Sequence, residues 1–190
     1  MDQAHPDSCI REPSHVAKRA LALYAVWYLS TDEPRHDILN WLKSSGVEAE
    51  LKPREREFVA TPQPTLKQRI EFSWHSERLY VLLWSLNRIA SLPPANMQCD
   101  TGHFTGALIS LPSRIDAPFV TDAQLRSYRE LSTMSDSIRQ LHWTARDAKI
   151  NQRKLKAPID IEIIQERHHA INWLIGDELQ EWDDVLTDTY

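Results

Sequence analysis

Glu166-Arg167-His168-His169 is the stretch of this sequence that comes nearest to a metal site. Neighbouring residues on an α-helix point about 100° apart, so the two imidazoles cannot easily face one ion. Neither an HExxH pattern nor a His four residues further on accompanies them. A structural role, at or near the core, is therefore expected for both. His75, followed by Ser76-Glu77, and His142 are isolated on Trp-bearing segments and read the same way. Asp183, Asp184 and Asp188 offer oxygens to a hard cation, but no Gly-containing twelve-residue loop frames them. They read as capping or solvated acids, with Trp182 packed on the body. No metal and no cofactor is expected.

Nucleophiles are no better marked. Cys99 and Ser110 lack the sequence surroundings of a catalytic Cys or of a GxSxG elbow. Gly102-His103 with Gly106 is not a GxGxxG phosphate loop. Cys9 and Cys99 lie too far apart for a CxxC pair, so reduced thiols are expected.

Glu77 is the more telling residue. It interrupts an apolar stripe, Leu66, Ile70, Trp74, Val81, Trp84 and Ile89, on the strongest helical segment. An unpaired carboxylate in an apolar interior is very costly, so Glu77 needs a cation. Arg139, Arg146 and Arg167 are the candidates. The pair is either a structural lock between helices or the acid of a pocket with a pKa moved by burial.

The elements that must carry these residues are nearly all helical. Ser14 reads as the N-cap of a helix to Leu29, with Val16, Leu23, Val26 and Trp27 inward, and residues 1–13 as a loose tail. Asp32 and Pro34 open a second helix that Gly46 closes. Pro53 starts a short third. The long segment from about Thr65 to Ala90 follows, ended by Pro93-Pro94. Residues 95–120 read as irregular, with short strands at Leu108–Leu111 and Phe119–Val120. Helix resumes at Thr121 and runs to about Lys154 with a break near Ser132–Ser135. Asp160 caps another helix to Leu174, and Asp177 a short last one. The expectation is an all-α single domain over residues 14–190.

Its 190 residues suit one domain, and 42% apolar against 26% charged residues permit a sizeable core. Only four glycines argue against a many-turned β-sandwich. The longest apolar run, Ala20 to Leu29, is about half of a bilayer span. Acids at positions 2, 7 and 12 spoil a signal peptide, so a cytoplasmic protein is expected. The net charge of −5 argues against nucleic-acid binding. From Ile159 onward there are nine acids and one Arg, whereas Thr121 to Pro158 holds eight Lys/Arg against four acids. Such segregation bears on partners more than on fold.

Several runs together resemble a known family. Trp74-His75-Ser76-Glu77 with Val81-Leu82-Leu83-Trp84-Ser85-Leu86 is similar to the core of the bacterial domain-of-unknown-function 4272 family. The early Leu39, Trp41-Leu42 and Arg54-Glu55 to Phe58 agree with it. So do Arg139 with Trp143 and Arg146-Asp147-Ala148, Glu166-Arg167 with Asn172-Trp173-Leu174, and the closing Trp182-Asp183-Asp184-Val185. Asn87 stands where the family pattern leads one to expect Gly, a departure expected to bear on packing only. The resemblance covers residues 14–190 and implies a helical cytoplasmic protein, with no catalytic residues to carry over. Some small bacterial proteins of this kind are encoded beside secreted toxins, which by analogy implies an immunity role.

Three functions follow as expectations. The first is a binding protein, an immunity protein that neutralises a cognate secreted antibacterial toxin, with a basic nuclease suiting its charge. The contact would draw on Asp177, Glu178, Glu181, Asp183, Asp184 and Asp188, with Trp182 or Tyr190 as aromatic anchor. The second is a hydrolase-like enzyme using a Glu77/Arg pocket. The third is an interaction module with no toxin.

Overall fold

The computed structural model describes residues 10–107, 117–176 and 180–188. Among them every regular element is helical, and the only strand-like pairing is one antiparallel bridge between Ile10 and Ile175. The chain is all-α. The strand expected at Leu108–Leu111 falls outside the described residues, as do Cys9, Ser110, Asp177, Glu178 and Tyr190.

Helix α1 (Pro13–Ser30) forms the centre. Its buried positions, Val16, Ala17, Ala20 to Leu23, Ala25, Val26 and Leu29, run all round the helix, which is the pattern of an enclosed helix rather than a surface one. Pro13 occupies the first turn, where its missing N–H is harmless, and the helix starts there instead of after Ser14. Residues 10–13 do not belong to a loose tail. Arg11 donates from Nε to the Trp173 carbonyl at 2.6 Å, and its backbone N–H bonds the Leu174 carbonyl at 3.1 Å.

Helix α2 (Arg35–Ser45) ends, as the sequence implies, on Gly46 in the left-handed conformation at φ 83°. A 3-10 turn over Val47–Glu50 leads to α3 (Pro53–Ala60). The segment read as one helix over 65–90 is two, α4 (Leu66–Ser73) and α5 (His75–Ser85), meeting at Trp74. The apolar stripe does not continue across this joint. Leu66 and Ile70 are 64% and 53% exposed, and Phe72 points inward instead, stacked on Phe58 at 4.2 Å.

Helix α5 ends on Asn87, which adopts φ 59°. The Asn87 N–H bonds the Trp84 carbonyl at 3.1 Å and the Arg88 N–H bonds the Leu83 carbonyl at 2.8 Å, a left-handed closure that Gly favours and Asn tolerates. The departure from Gly at this position therefore concerns backbone conformation, not packing.

Helices α6 (Gly102–Ala107) and α7 (Pro118–Thr121) are short. Phe119–Val120, expected as a strand, lies in α7. Helix α8 (Tyr128–Ile150) starts later than Thr121 because Ser127 and Glu130 form a reciprocal capping box, and it runs unbroken through Ser132–Ser135. Asp160 caps α9 (Ile161–Leu174) as expected, accepting from the Glu162 N–H at 2.9 Å and the Ile163 N–H at 3.3 Å. α1 packs on α5 and α4, and α9 packs between α5 and α8.

Trp84 on α5 is buried, and the Arg126 guanidinium lies 4.9 Å over its ring while donating to the Trp84 carbonyl at 2.8 Å. Trp84→Ala is expected to cost about 3–5 kcal/mol in denaturant unfolding. A loss under about 1 kcal/mol would place the ring outside the core.

Candidate functional site

Glu77 is 1% exposed and finds its cation on α9. Arg167 Nε donates to Glu77 Oε2 at 2.9 Å, and the Cys99 backbone N–H donates to Oε1 at 2.7 Å. Arg167 also donates to the carbonyls of Pro93 at 2.6 Å and Met97 at 2.8 Å. The pair thus ties α5, α9 and the proline-rich loop after α5 together, and both carboxylate oxygens are committed. Arg139 and Arg146 are not part of this core. Arg139 pairs with Asp136 at 2.6 Å and Arg146 with Asp188 at 3.4 Å, both at the surface, and the helix that α8 packs on is α9 rather than α5. Cys99 is buried beside Glu77, and burial, then the carboxylate, pushes its thiol up to about 12. It is not a poised nucleophile.

A second buried pair was not foreseen. Arg19 on α1 and Glu55 on α3 form a two-pronged ion pair, with Arg19 Nη1 2.9 Å from Glu55 Oε2. His75 Nε2 lies 3.2 Å from Glu55 Oε1, and the Lys52 N–H donates to Oε2 at 2.9 Å. Burial by itself would raise the Glu55 pKa, but the Arg19 charge and the His75 hydrogen bond outweigh it and hold the carboxyl below the usual range. Burial, foremost, pushes the His75 imidazole down, so it serves as a neutral donor. The signal for Arg19 was present: a cation among Val16, Ala17, Ala20 and Leu23 on an otherwise apolar helix demands a partner.

Trp182 is 1% exposed and is no surface anchor. The Arg19 guanidinium lies 4.2 Å from the centre of its ring, and Trp173 and His169 meet it edge-on at 5.0 and 4.7 Å. Trp182 opens a 3-10 turn over Trp182–Asp184, so the buried ring fixes a turn whose two acids, Asp183 and Asp184, are exposed. Beside them Lys52 Nζ holds Glu181 at 3.1 Å.

His168 and His169 diverge. His169 meets Trp182, while His168 turns to His142 on α8 with their Nδ1 atoms 2.9 Å apart. Burial, reinforced by His142 and Arg139, pushes His168 down to about 4. Burial and the Arg78 charge push His169 down to about 3. Among the described residues no group of three or more His, Cys, Asp or Glu is placed to hold a metal ion, and no helix is long and apolar enough to cross a membrane.

A family model described as a domain of unknown function, DUF4272, matches residues 3–185. The chain belongs to this family. No curated protein and no solved structure matches it. In this DUF4272 chain the family match takes in the Ile10–Arg11 clasp, both buried ion pairs and the turn that Trp182 holds.

Proposed function

We propose that this DUF4272 protein is a non-catalytic binding protein of the cytoplasm, most concretely an immunity protein that neutralises a cognate secreted antibacterial toxin. A basic, nuclease-like toxin suits its charge. The observation that carries the reading is the acidic turn itself: Asp183 and Asp184 stand exposed on a turn whose own tryptophan is locked beneath it. Acids held in one geometry lose little freedom on binding, and complementary charge speeds encounter and selects the partner. Glu77, which an enzymatic reading would use, has both oxygens committed to Arg167 and the Cys99 N–H, which favours binding over catalysis.

A specific complex would bury on the order of 1,600 Å² in total. Asp183→Lys together with Asp184→Lys is expected to slow association about tenfold or more at low salt and to reduce its salt dependence. Unaltered binding kinetics would remove these acids from the interface. A toxin-like reading frame is expected next to this gene, and its co-expression with this protein is expected to protect the cell. Absence of protection would remove the immunity reading.

A further inference from the structure

The left-handed closure at Asn87 takes the chain off the axis of α5, and the residues that follow, Arg88 to Ser91, line a cavity of about 370 Å³. Arg126 pins this stretch by donating to the Ile89 and Ala90 carbonyls at 3.0 and 3.2 Å. Tyr80 of α5 and Gly102-His103 at the start of α6 complete the lining. That side is pinned as well: Asp100 Oδ1 accepts from the Gly102 N–H at 2.9 Å, and the His103 N–H bonds the Asp100 carbonyl at 3.1 Å. A cavity of this size lies at the lower end of the range for small-molecule sites, and walls held in place lose little freedom when one is filled.

The lining is one-sided in charge. Among the described residues no acid belongs to it. Arg88 is exposed, and among those residues its guanidinium meets no carboxylate, only the Phe119 ring, 5.2 Å from its centre. Such a contact orients the group but leaves its charge and its N–H donors unspent. The His103 side chain is 58% exposed, and its Nδ1 lies 2.7 Å from the Tyr80 hydroxyl. Burial, foremost, pushes the Tyr80 phenol up, so it keeps its proton. His103 Nε2 lies 3.8 Å from Asp100 Oδ2, too far for a hydrogen bond. Ile89 and Ala90 add apolar lining.

We infer that this cavity binds a small organic anion, one carboxylate or phosphate group on a short apolar body, held by the Arg88 guanidinium and the His103 Nε2–H. Tyr80 is a positioning residue: its hydroxyl donates to Nδ1, which holds the ring and leaves the imidazole proton on Nε2. The guanidinium fork matches either headgroup in geometry and charge. The Ser91 hydroxyl offers a further donor, and the body rests on Ile89 and Ala90. Asp100, close to Nε2 without bonding it, opposes the anion and keeps the affinity modest. The site shares no residue with the acidic turn and does not depend on the toxin reading.

The test uses the full chain, titrated at constant ionic strength with butyrate, butyl phosphate and, as the neutral counterpart, butanol, while the His103 imidazole signals are followed by NMR. A saturable change at millimolar concentration is expected with at least one anion and none with butanol. Arg88→Gln, a change at an exposed residue, is expected to weaken binding about tenfold, the loss of one charge-assisted contact. Tyr80→Phe is expected to let the His103 proton divide between the two nitrogens, which their chemical shifts read directly, and to weaken binding by a smaller factor. Response to butyrate alone assigns a carboxylate ligand, response to butyl phosphate alone a phosphate, and response to both an anion site without preference. No saturable change with either anion would overturn the inference. So would butanol binding as tightly as the anions, or a response that Arg88→Gln retains in full.

Discussion

Glu77→Ala and Arg167→Ala are each expected to remove about 3–5 kcal/mol of stability, because each leaves a charge buried without its partner. Arg167 is the worse loss of the two. Without it the carbonyls of Pro93 and Met97, as well as Glu77, lose a donor, so the 93–99 loop should also loosen. Denaturant unfolding measures the first effect, and hydrogen exchange at the Cys99 amide, which donates to Glu77 at 2.7 Å, measures the second. Replacing both partners with apolar residues of similar size is expected to recover most of the stability. If Glu77→Gln left stability unchanged yet abolished a measured turnover, the residue would belong to chemistry instead.

Stability is also expected to fall steeply as the pH drops below about 6.5, the unfolded value of an imidazole. His15, His75, His142, His168 and His169 are all depressed in the folded protein, with burial the leading cause for each. Between the folded and unfolded values the unfolded chain carries more protons, so stability rises with pH there and is lost on acidification. The contribution is fully present above pH 6.5. For His168, the drop from 6.5 to about 4 corresponds to about 3 kcal/mol, reached once the pH lies below 4. Glu55 adds a loss of the same sign at lower pH, since its depressed carboxyl favours folding in full only above its unfolded value and loses that gain as the pH falls from there toward the folded one. Melting temperature followed from pH 7 to 4 reads the proton uptake. His168→Leu is expected to reduce that uptake by about one proton near pH 5. A melting temperature that stays flat from pH 7 to 5 would contradict the enclosure of His75, His142 and His168.

What could be read from the sequence was whatever local chemistry decides. Gly46 and Asp160 mark their helix ends because a left-handed closure and an N-cap depend on one or two residues. Arg167 was among the three partners named for Glu77, since a carboxylate on an apolar stripe requires a cation somewhere. Which cation was not legible, because that depends on how α8 and α9 rotate against α5. The joint at Trp74 was hidden for a similar reason: α4 follows helical spacing but turns Leu66 and Ile70 to solvent. The Ser127–Glu130 capping box was legible and would have placed the start of α8 correctly. Trp182 was misjudged as an anchor for a partner because its cover, Arg19 and Trp173, comes from opposite ends of the chain.

That cover has a consequence for how the protein is made. A ribosome adds about 5–20 residues per second, N-terminal end first. α1, buried over most of its surface in the folded protein, is therefore complete on the order of ten seconds before Trp182 leaves the ribosome. Throughout that interval Arg19 lacks the ring it lies against, and Arg11 lacks the Trp173 carbonyl it bonds at 2.6 Å. A chain stalled in translation before residue 173 would present this face of its central helix to chaperones and proteases, and release of the last turns would withdraw it.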